Sequence, residues 1–586
     1  MKKILFAIIT LTIPLFLFLA LELTLRLHPS YSAYPLFISL PSNNEYLIAN
    51  PDFGSQYFPD FKPSIAAIPF SKIKKDSTLR IVTLGGSSAA GFPYQSSFSF
   101  SNQLNRHLMY NFPQYKSEVI NLAMTAINSY QFVDMIDEII SIQPDVVLIY
   151  GGHNEFFGAY GTASNFGFSI INYPIIKRYI IKLNRLALVQ VPKKLLYNKP
   201  NESKDTRTLM SKTIKEINIP YEEKLFDLTM SQFEINMRNV FTKLNNKSIP
   251  FLISTIGSNL KDQKPLGIAA TADSLYLLGQ KVDLKNKSTL AESLYIAAKE
   301  QDPLRFRAPE KINLILKNLS SDFNKSYFID GKSVLKSISK SGIEDNSVFT
   351  DHLHPNDKGH YALSALFYKS IIELLKLKKE ELSEDLAPYL PISTFDQTYA
   401  DIQIAKLTSE FPFKKNISAS ESNRLFVQKA KNIMAKSFSD SLSALTYINH
   451  LFVIEQLSKA TVYELNKNDT LSYASHAWSL ANWQFFNKKY FIKSLEILST
   501  NPKTEQIALD LSLLAANYHE ESIFYELNGA FLLKQKKLNA AKYWLDKSTI
   551  LNPNSKNSWY NLARLSVLKG DTLTAKKYFD RYIQLN

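Results

Sequence analysis

The stretch Arg80-Ile81-Val82-Thr83-Leu84-Gly85-Gly86-Ser87-Ser88-Ala89-Ala90-Gly91 decides how this chain is read. Arg80–Leu84 has the make-up of a buried strand and stops at a glycine pair. A helical pattern then runs through Phe100–Tyr110. Moving outward, Val119–Leu122 reads as a second strand, followed by a helix around Phe132–Ile142. Pro144 introduces a third strand, Val146–Tyr150, which ends in Gly151–Gly152. Pro250–Ile256 is a fourth strand and Tyr327–Ile329 a short fifth. Continuous apolar strands alternating with helices predict an α/β unit whose parallel sheet is covered on both faces. In such sheets ligands sit at the carboxyl ends of the strands.

At 586 residues the chain exceeds one compact core, so several folded units are expected. The apolar share of 45% and charged share of 21% are ordinary for globular protein and exclude disorder as the main state. Between the third and fourth strands a long insertion, about 156–249, includes Asn165–Tyr179 and the charged stretch Asn201–Lys215. It has the length of a lid or a substrate wall. Beyond about residue 380 strand signals stop and helical patterns take over. Tyr525 and Trp559, Gly529 and Ala563, Ala541 and Ala575, and Trp544 and Tyr578 recur about 34 residues apart, with Pro553 after the second helix. That period resembles the tetratricopeptide repeat, with Ala477–Leu498 as a degenerate earlier unit. A protein partner is expected at these repeats.

Lys2 and Lys3 precede an uncharged run from Ile4 to Leu21 that Glu22 ends. About 17–20 apolar residues span a bilayer core as a helix. A cleaved signal of similar charge would end in a small-x-small site, and none stands around Ala20–Glu22. The reading is therefore an uncleaved transmembrane anchor over 1–22, cytoplasmic on its lysine side, with the membrane itself as one partner. The remaining chain is then extracytoplasmic, on the periplasmic side. It divides into a connecting segment 23–76, an α/β domain 77–380 and a helical-repeat domain 381–586. Cysteine is absent, which excludes disulfides, thiol nucleophiles and Cys-ligated zinc. The nine histidines are scattered and form no metal motif, so neither metal nor cofactor is expected. A net charge of +15 suits anionic lipid headgroups or acidic polymers. Without a basic run interleaved with aromatics, nucleic acid is not a partner.

The chemistry-bearing residues fall at the strand ends. The first strand runs into Ser87, the second into Asn121 and the Thr125–Ala126 loop, and the third into Gly152-His153-Asn154-Glu155. Far downstream stands Asp351-His352-Leu353-His354-Pro355, before an amphipathic helix from about Asp357 to Leu377. In this order the four segments resemble the SGNH (GDSL-type) esterase/lipase family over roughly residues 77–380. Bacterial members that join this domain to tetratricopeptide repeats are similar also in Gly85–Tyr94 and Ser258–Asp262. The resemblance implies a flavodoxin-like doubly wound sheet with no cofactor. It carries Ser87 over as nucleophile, and Asp351 and His354 as the acid and base that activate it. Ser87, Ala126 and Asn154 carry over as the oxyanion hole. Gly86 stands where the family has Asp, and Ala126 where it has Gly.

The residues themselves fit those roles. A serine hydroxyl needs a neighbouring base to take its proton, and a carboxylate three residues before His354 can set that imidazole's tautomer. Oxyanion donors must be pre-placed; alanine supplies a backbone N–H there unless the loop demands positive φ, where alanine is costly. His352 is read as structural. His153 suits either a substrate contact or a buried hydrogen-bonded role. Arg305 and Arg307 suit either a clamp on an anionic substrate group or a salt bridge inside the fold. The expected activity is hydrolysis of an ester, on an acylated polysaccharide or a lipid. O-acyl transfer through the same residues, or an inert scaffold acting through its repeats, are the alternatives.

Overall fold

Two sheets organise the chain, whose described residues in this computed structural model are 2–58, 61–166, 172–197, 208–285, 288–377, 386–415 and 417–585. The first sheet is antiparallel, in the order β1 (Phe37–Leu40), β2 (Asn43–Ala49), β3 (Phe70–Ser71). The second is parallel and contains β4 (Thr78–Gly85), β5 (Lys116–Asn121), β6 (Val146–Tyr150), β7 (Phe251–Ser254) and β8 (Ser326–Ile329). Its order is β5-β4-β6-β7-β8. The chain steps outward from β4 to β5 and then crosses back to β6, with Thr83 opposite Asn121 and Gly85 opposite Tyr150. Such a reversal opens a crevice at the carboxyl ends of the strands.

Every residue of β4 and β6 is buried, because helices cover both faces. Phe100–Asn111 and Asp357–Leu375 pack together on one side, with Phe100 stacked on Phe367 at 5.0 Å. Ser129–Ser141, Lys224–Asn246 and Glu310–Ser320 form the other layer. Crossovers between parallel strands are right-handed as a rule, which puts the helices before and after the reversal point on opposite faces. The helix Lys224–Asn246 comes from the insertion 156–249, so part of that insertion is sheet cover. The stretches 167–171 and 198–207 of the insertion lie outside the described residues, as does the 380/381 boundary.

The segment 23–76 shows no periodicity in sequence, yet it holds the antiparallel sheet. β1 and β2 form a hairpin, β3 joins from more than 20 residues later, and Arg80 anchors β3. The Arg80 guanidinium is buried and donates to Glu118 at 2.8 Å, to the Ser71 carbonyl at 2.6 Å and to the Ile142 carbonyl at 2.7 Å. Ser71 N–H donates to the other Glu118 oxygen at 2.8 Å. Removing one partner of such a pair strands a buried charge, at about 3–5 kcal/mol.

The expected transmembrane anchor over 1–22 is corrected here. A helix forms over Lys2–Leu25 with Pro14 inside it, but among the described residues no helix is long and apolar enough to cross a membrane. The helix ends in the folded body. Glu22 is buried and accepts from the N–H groups of Ala187 and Leu188 at 3.0 Å each, while pairing with Arg26 at 2.9 Å. The charge read as the end of a span is a docking point for the helix Ala187–Tyr197. The fold class keeps the parallel sheet and the helical C-terminal region and loses the transmembrane helix. The periplasmic-side placement was inferred from that span and loses its support with it.

From Thr394 to Gln584 the described chain is helical. Ser522–Lys534 pairs with Leu538–Leu551, and Lys556–Leu568 with Thr572–Gln584. A Cβ at Gly529 would stand 2.5 Å from Leu545 Cγ, so only glycine lets that pair close up. Tyr525 meets Trp544 at 5.3 Å and Trp559 meets Tyr578 at 5.7 Å between ring centres. This region is fastened to the α/β part by a buried Arg106–Asp510 ion pair at 2.8 Å, an Asn102–Asn482 hydrogen bond at 2.8 Å and the Asn517 amide on the Ser117 carbonyl at 2.8 Å.

Candidate active site

Ser87 opens a four-residue helical turn directly after β4, with Gly86 as its N-cap in extended backbone. The turn closes at Gly91, φ 101°, where a Cβ would also press on Ser99 Cβ at 2.9 Å. The sequence folds this way because glycine supplies the left-handed turn that ends the helix. The Ser87 hydroxyl stands 2.7 Å from His354 Nε2, and His354 Nδ1 stands 2.6 Å from Asp351 Oδ2. A carboxylate only accepts, so Nδ1 carries the proton and Nε2 is left to accept from Ser87.

The loop carrying Asp351 and His354 is built from its own backbone. Asp351 Oδ1 accepts from the N–H of Leu353 and of His354, both at 2.9 Å. Thr350 N–H donates to the His354 carbonyl at 2.9 Å. Asn259 braces the loop from outside: its amide donates to the Asp351 carbonyl at 3.1 Å and its N–H to the His352 carbonyl at 3.0 Å. Asn356 then caps the helix Asp357–Leu375. Burial alone would raise the Asp351 carboxyl, but His354 and His352 on either side hold it well below the usual carboxylate range. It stays ionised. Phe92 packs against the His354 ring at 4.5 Å, and Ser88 Oγ donates to the Leu353 carbonyl at 3.2 Å. Neither contact was anticipated from sequence; no pattern ties Phe92 or Ser88 to a loop so far along the chain.

Asn154 Nδ2 donates to the Ile127 carbonyl at 3.0 Å and has a second hydrogen left over. Gly86, where the resembling family has Asp, makes room for that amide: a Cβ there would lie 2.8 Å from Asn154 Nδ2. Ala126 has φ 61°, the left-handed conformation that alanine adopts at a cost. Among the described residues nothing accepts from the N–H of Ser87 or of Ala126. Ser87, Ala126, Asn154 and His354 all border one cavity of about 1340 Å³.

Of the other residues singled out in the sequence, His352 also borders that cavity, whereas His153, Glu155, Arg305 and Arg307 do not line it. His153 is buried with Nδ1 accepting from Ala308 N–H at 3.1 Å, and burial pushes it down to about 3, so it is neutral. Arg307 donates to the carbonyls of Asn259 at 2.9 Å and Gln263 at 3.0 Å. Arg305 donates to the carbonyls of Ile219 and Glu300. Both arginines are spent inside the fold. Glu155 accepts from Ser129 N–H at 3.0 Å and Ser129 Oγ at 2.7 Å, which pins the loop to the start of the helix Ser129–Ser141. Burial pushes it up to about 7. His352 sits beside Asp351 at 3.3 Å, and burial lowers it from the ordinary histidine value.

Asp351, His352 and His354 bring three ligand-type atoms within 4.8 Å of one another. His354 already engages Asp351 and Ser87 through its two nitrogens, which suits proton transfer better than metal ligation. The arrangement can withdraw a proton from Ser87, hold the resulting imidazolium against a carboxylate, and offer three N–H groups to an anion.

No family model matches the chain, and no curated protein matches it. Among solved structures it is similar to a GDSL-like lipase from Bacteroides thetaiotaomicron VPI-5482, at 12% identity and a TM-score of 0.27, over 52% of this chain and 92% of that one. A catalytic mutant of Axe2, an acetylxylan esterase from Geobacillus stearothermophilus, aligns at 12% identity and 0.28, over 51% and 96%. MamA from Desulfovibrio magneticus RS-1 aligns at 17% identity and 0.20, over 28% of this chain and 93% of that one. At such identities and scores the site's chemistry is judged on its own geometry.

Proposed function

We propose that the protein hydrolyses carboxylic esters through an acyl-enzyme on Ser87, with His354 as general base and then general acid and Asp351 as the group that orients it. The supporting observation is the unbroken relay from Ser87 Oγ through His354 to Asp351, at 2.7 Å and 2.6 Å. Ser87 attacks the ester carbonyl while its proton passes to His354 Nε2; collapse of the tetrahedral adduct expels the alcohol, which takes that proton. Water then repeats the sequence on the acyl-enzyme. The N–H groups of Ser87 and Ala126 and the free Asn154 amide hydrogen are the oxyanion donors. We assign this chemistry to residues 77–380. The paired helices after Ser522 are read as tetratricopeptide-type repeats, on the recurrence of Tyr525 and Gly529 at Trp559 and Ala563.

The test is covalent labelling with a fluorophosphonate, alongside turnover of p-nitrophenyl acetate. Wild type is expected to label at one site and to hydrolyse the ester; Ser87→Ala abolishes both, while Ser88→Ala retains labelling. Equal labelling of the Ser87→Ala protein would remove Ser87 from the mechanism.

A further inference from the structure

The cavity in front of Ser87 is far larger than its chemistry needs. At about 1340 Å³ it exceeds the roughly 300–1,000 Å³ that drug-sized ligands occupy. Much of its wall comes from beyond the strand ends that carry Ser87, Ala126 and Asn154. The segment Phe61–Pro69, the insertion turn Thr208–Thr213, and the helical region at Tyr399–Leu407, Phe426, Tyr447–Ile448 and Asn482–Asn487 all border it. Ile48, Ile65, Phe426 and Phe485 present buried apolar side chains to it, while Lys62, Lys212 and Lys406 and the amides of Asn482 and Gln484 make part of the lining polar. No Asp or Glu occurs among the described residues lining it.

The wall from the helical region is held in place. Phe486 packs on Tyr46 at 4.7 Å and on Tyr518 at 5.5 Å, and Phe485 packs on Tyr518 at 5.0 Å between ring centres. Asn482 is tied to Asn102, and the Arg106–Asp510 pair locks the helices behind it. Such a pocket exists before any ligand arrives, so filling it loses little conformational entropy. An acetyl ester would leave most of this apolar surface facing water. A hydrocarbon chain would cover it, at about 25 cal/mol per Å² removed from water.

From this we infer that the substrates are esters bearing a long hydrocarbon chain, and that the helical region is part of the substrate site, supplying the wall along which the chain lies. The inference rests on the ester-hydrolase reading of Ser87. It gives the helices around Trp483–Phe486 a role in selecting substrate at the same site, in addition to any partner they bind.

The experiment uses the full chain and two substrate series. One lengthens the acyl group from p-nitrophenyl acetate to dodecanoate; the other lengthens the alcohol of acetyl esters. In at least one series kcat/KM is expected to rise about fourfold per added methylene over the first several carbons, the equivalent of ~0.8 kcal/mol each. Which series rises tells whether the acyl or the alcohol side occupies the wall. Ala67 borders the cavity and is exposed, so Ala67→Trp should fold. It is expected to lower kcat/KM for the longest esters more than tenfold, and by less for acetate. Trp483→Ala is expected to flatten the chain-length dependence.

Flat or falling kcat/KM in both series would overturn the inference, as would efficient turnover confined to acetylated oligosaccharides. Binding of dodecanoate to Ser87→Ala, followed by calorimetry, reads the cavity without turnover: no binding overturns the inference, and binding weakened by Ala67→Trp supports it. Loss of fluorophosphonate labelling and of all ester turnover in wild type, with dodecanoate still bound, would instead sink the hydrolase reading and leave the hydrocarbon site standing.

Discussion

Replacing Asp351 with Asn separates the electrostatic role of the carboxylate from its structural one. Asn keeps an oxygen that can still accept from the N–H groups of Leu353 and His354, the two bonds of 2.9 Å that shape the loop. Its amide nitrogen then takes the place of Oδ2, 2.6 Å from His354 Nδ1. Two donors cannot face each other, so the imidazole proton moves to Nε2 and points at Ser87. The base is in the wrong tautomer. The imidazolium formed during attack also loses its counter-charge: two unit charges about 4 Å apart at an effective dielectric near 20 interact by about 4 kcal/mol. At about 1.4 kcal/mol per decade that is roughly a thousandfold in rate, and the tautomer change adds about one decade more. The same substitution in a serine-protease triad costs about 10⁴. The assay is kcat for p-nitrophenyl acetate at pH 7.5, with urea unfolding as the control; Asp351→Asn should unfold within about 2 kcal/mol of wild type. A folded variant that keeps kcat within tenfold of wild type would refute the role assigned to the carboxylate.

Two other changes test the neighbouring loops. Ala126→Gly relieves a left-handed alanine at φ 61° and is expected to raise urea-unfolding stability by about 0.5–1 kcal/mol, with kcat within about threefold because the N–H remains; a loss of stability would show that the loop does not pay for this conformation. Glu155 is pushed up to about 7 by burial, so it favours the folded state below the ordinary carboxylate range and gives up that stability as pH rises towards 7; Glu155→Gln should reduce the fall in unfolding free energy between pH 5 and 7 by at most about 1.4 kcal/mol per pH unit, and an unchanged slope would place the titration elsewhere.

How far the sequence could be read depends on whether each feature is local. The strand β6 was legible because burial on both faces leaves an unbroken apolar run, and β4 because Ile81, Val82 and Leu84 lead into a glycine pair despite Arg80 and Thr83. The Asp351–His354 turn was legible for a similar reason, since three residues suffice for one carboxylate to collect two backbone N–H groups and a ring nitrogen. The antiparallel sheet was not, because β1 to β3 are short and β3 is held at Ser71 by Arg80 and Glu118, in another sheet. The apolar run Ile4–Leu21 was misread because hydropathy counts side chains and cannot see that Glu22 caps a helix some 165 residues later. The cavity walls were invisible for the deepest reason. Phe61–Pro69, Tyr399–Leu407 and Asn482–Asn487 share no motif and no period; only the packing of the helices against the α/β unit, through Arg106–Asp510 and Asn102–Asn482, brings them to one space. The proposed reacting groups lie on short local segments, Ser87 directly after β4 and Asp351–His354 within one turn, whereas what the site admits is set by an interface. Substitutions at Arg106 or Asp510 should thus change which esters are turned over before they change how Ser87 reacts.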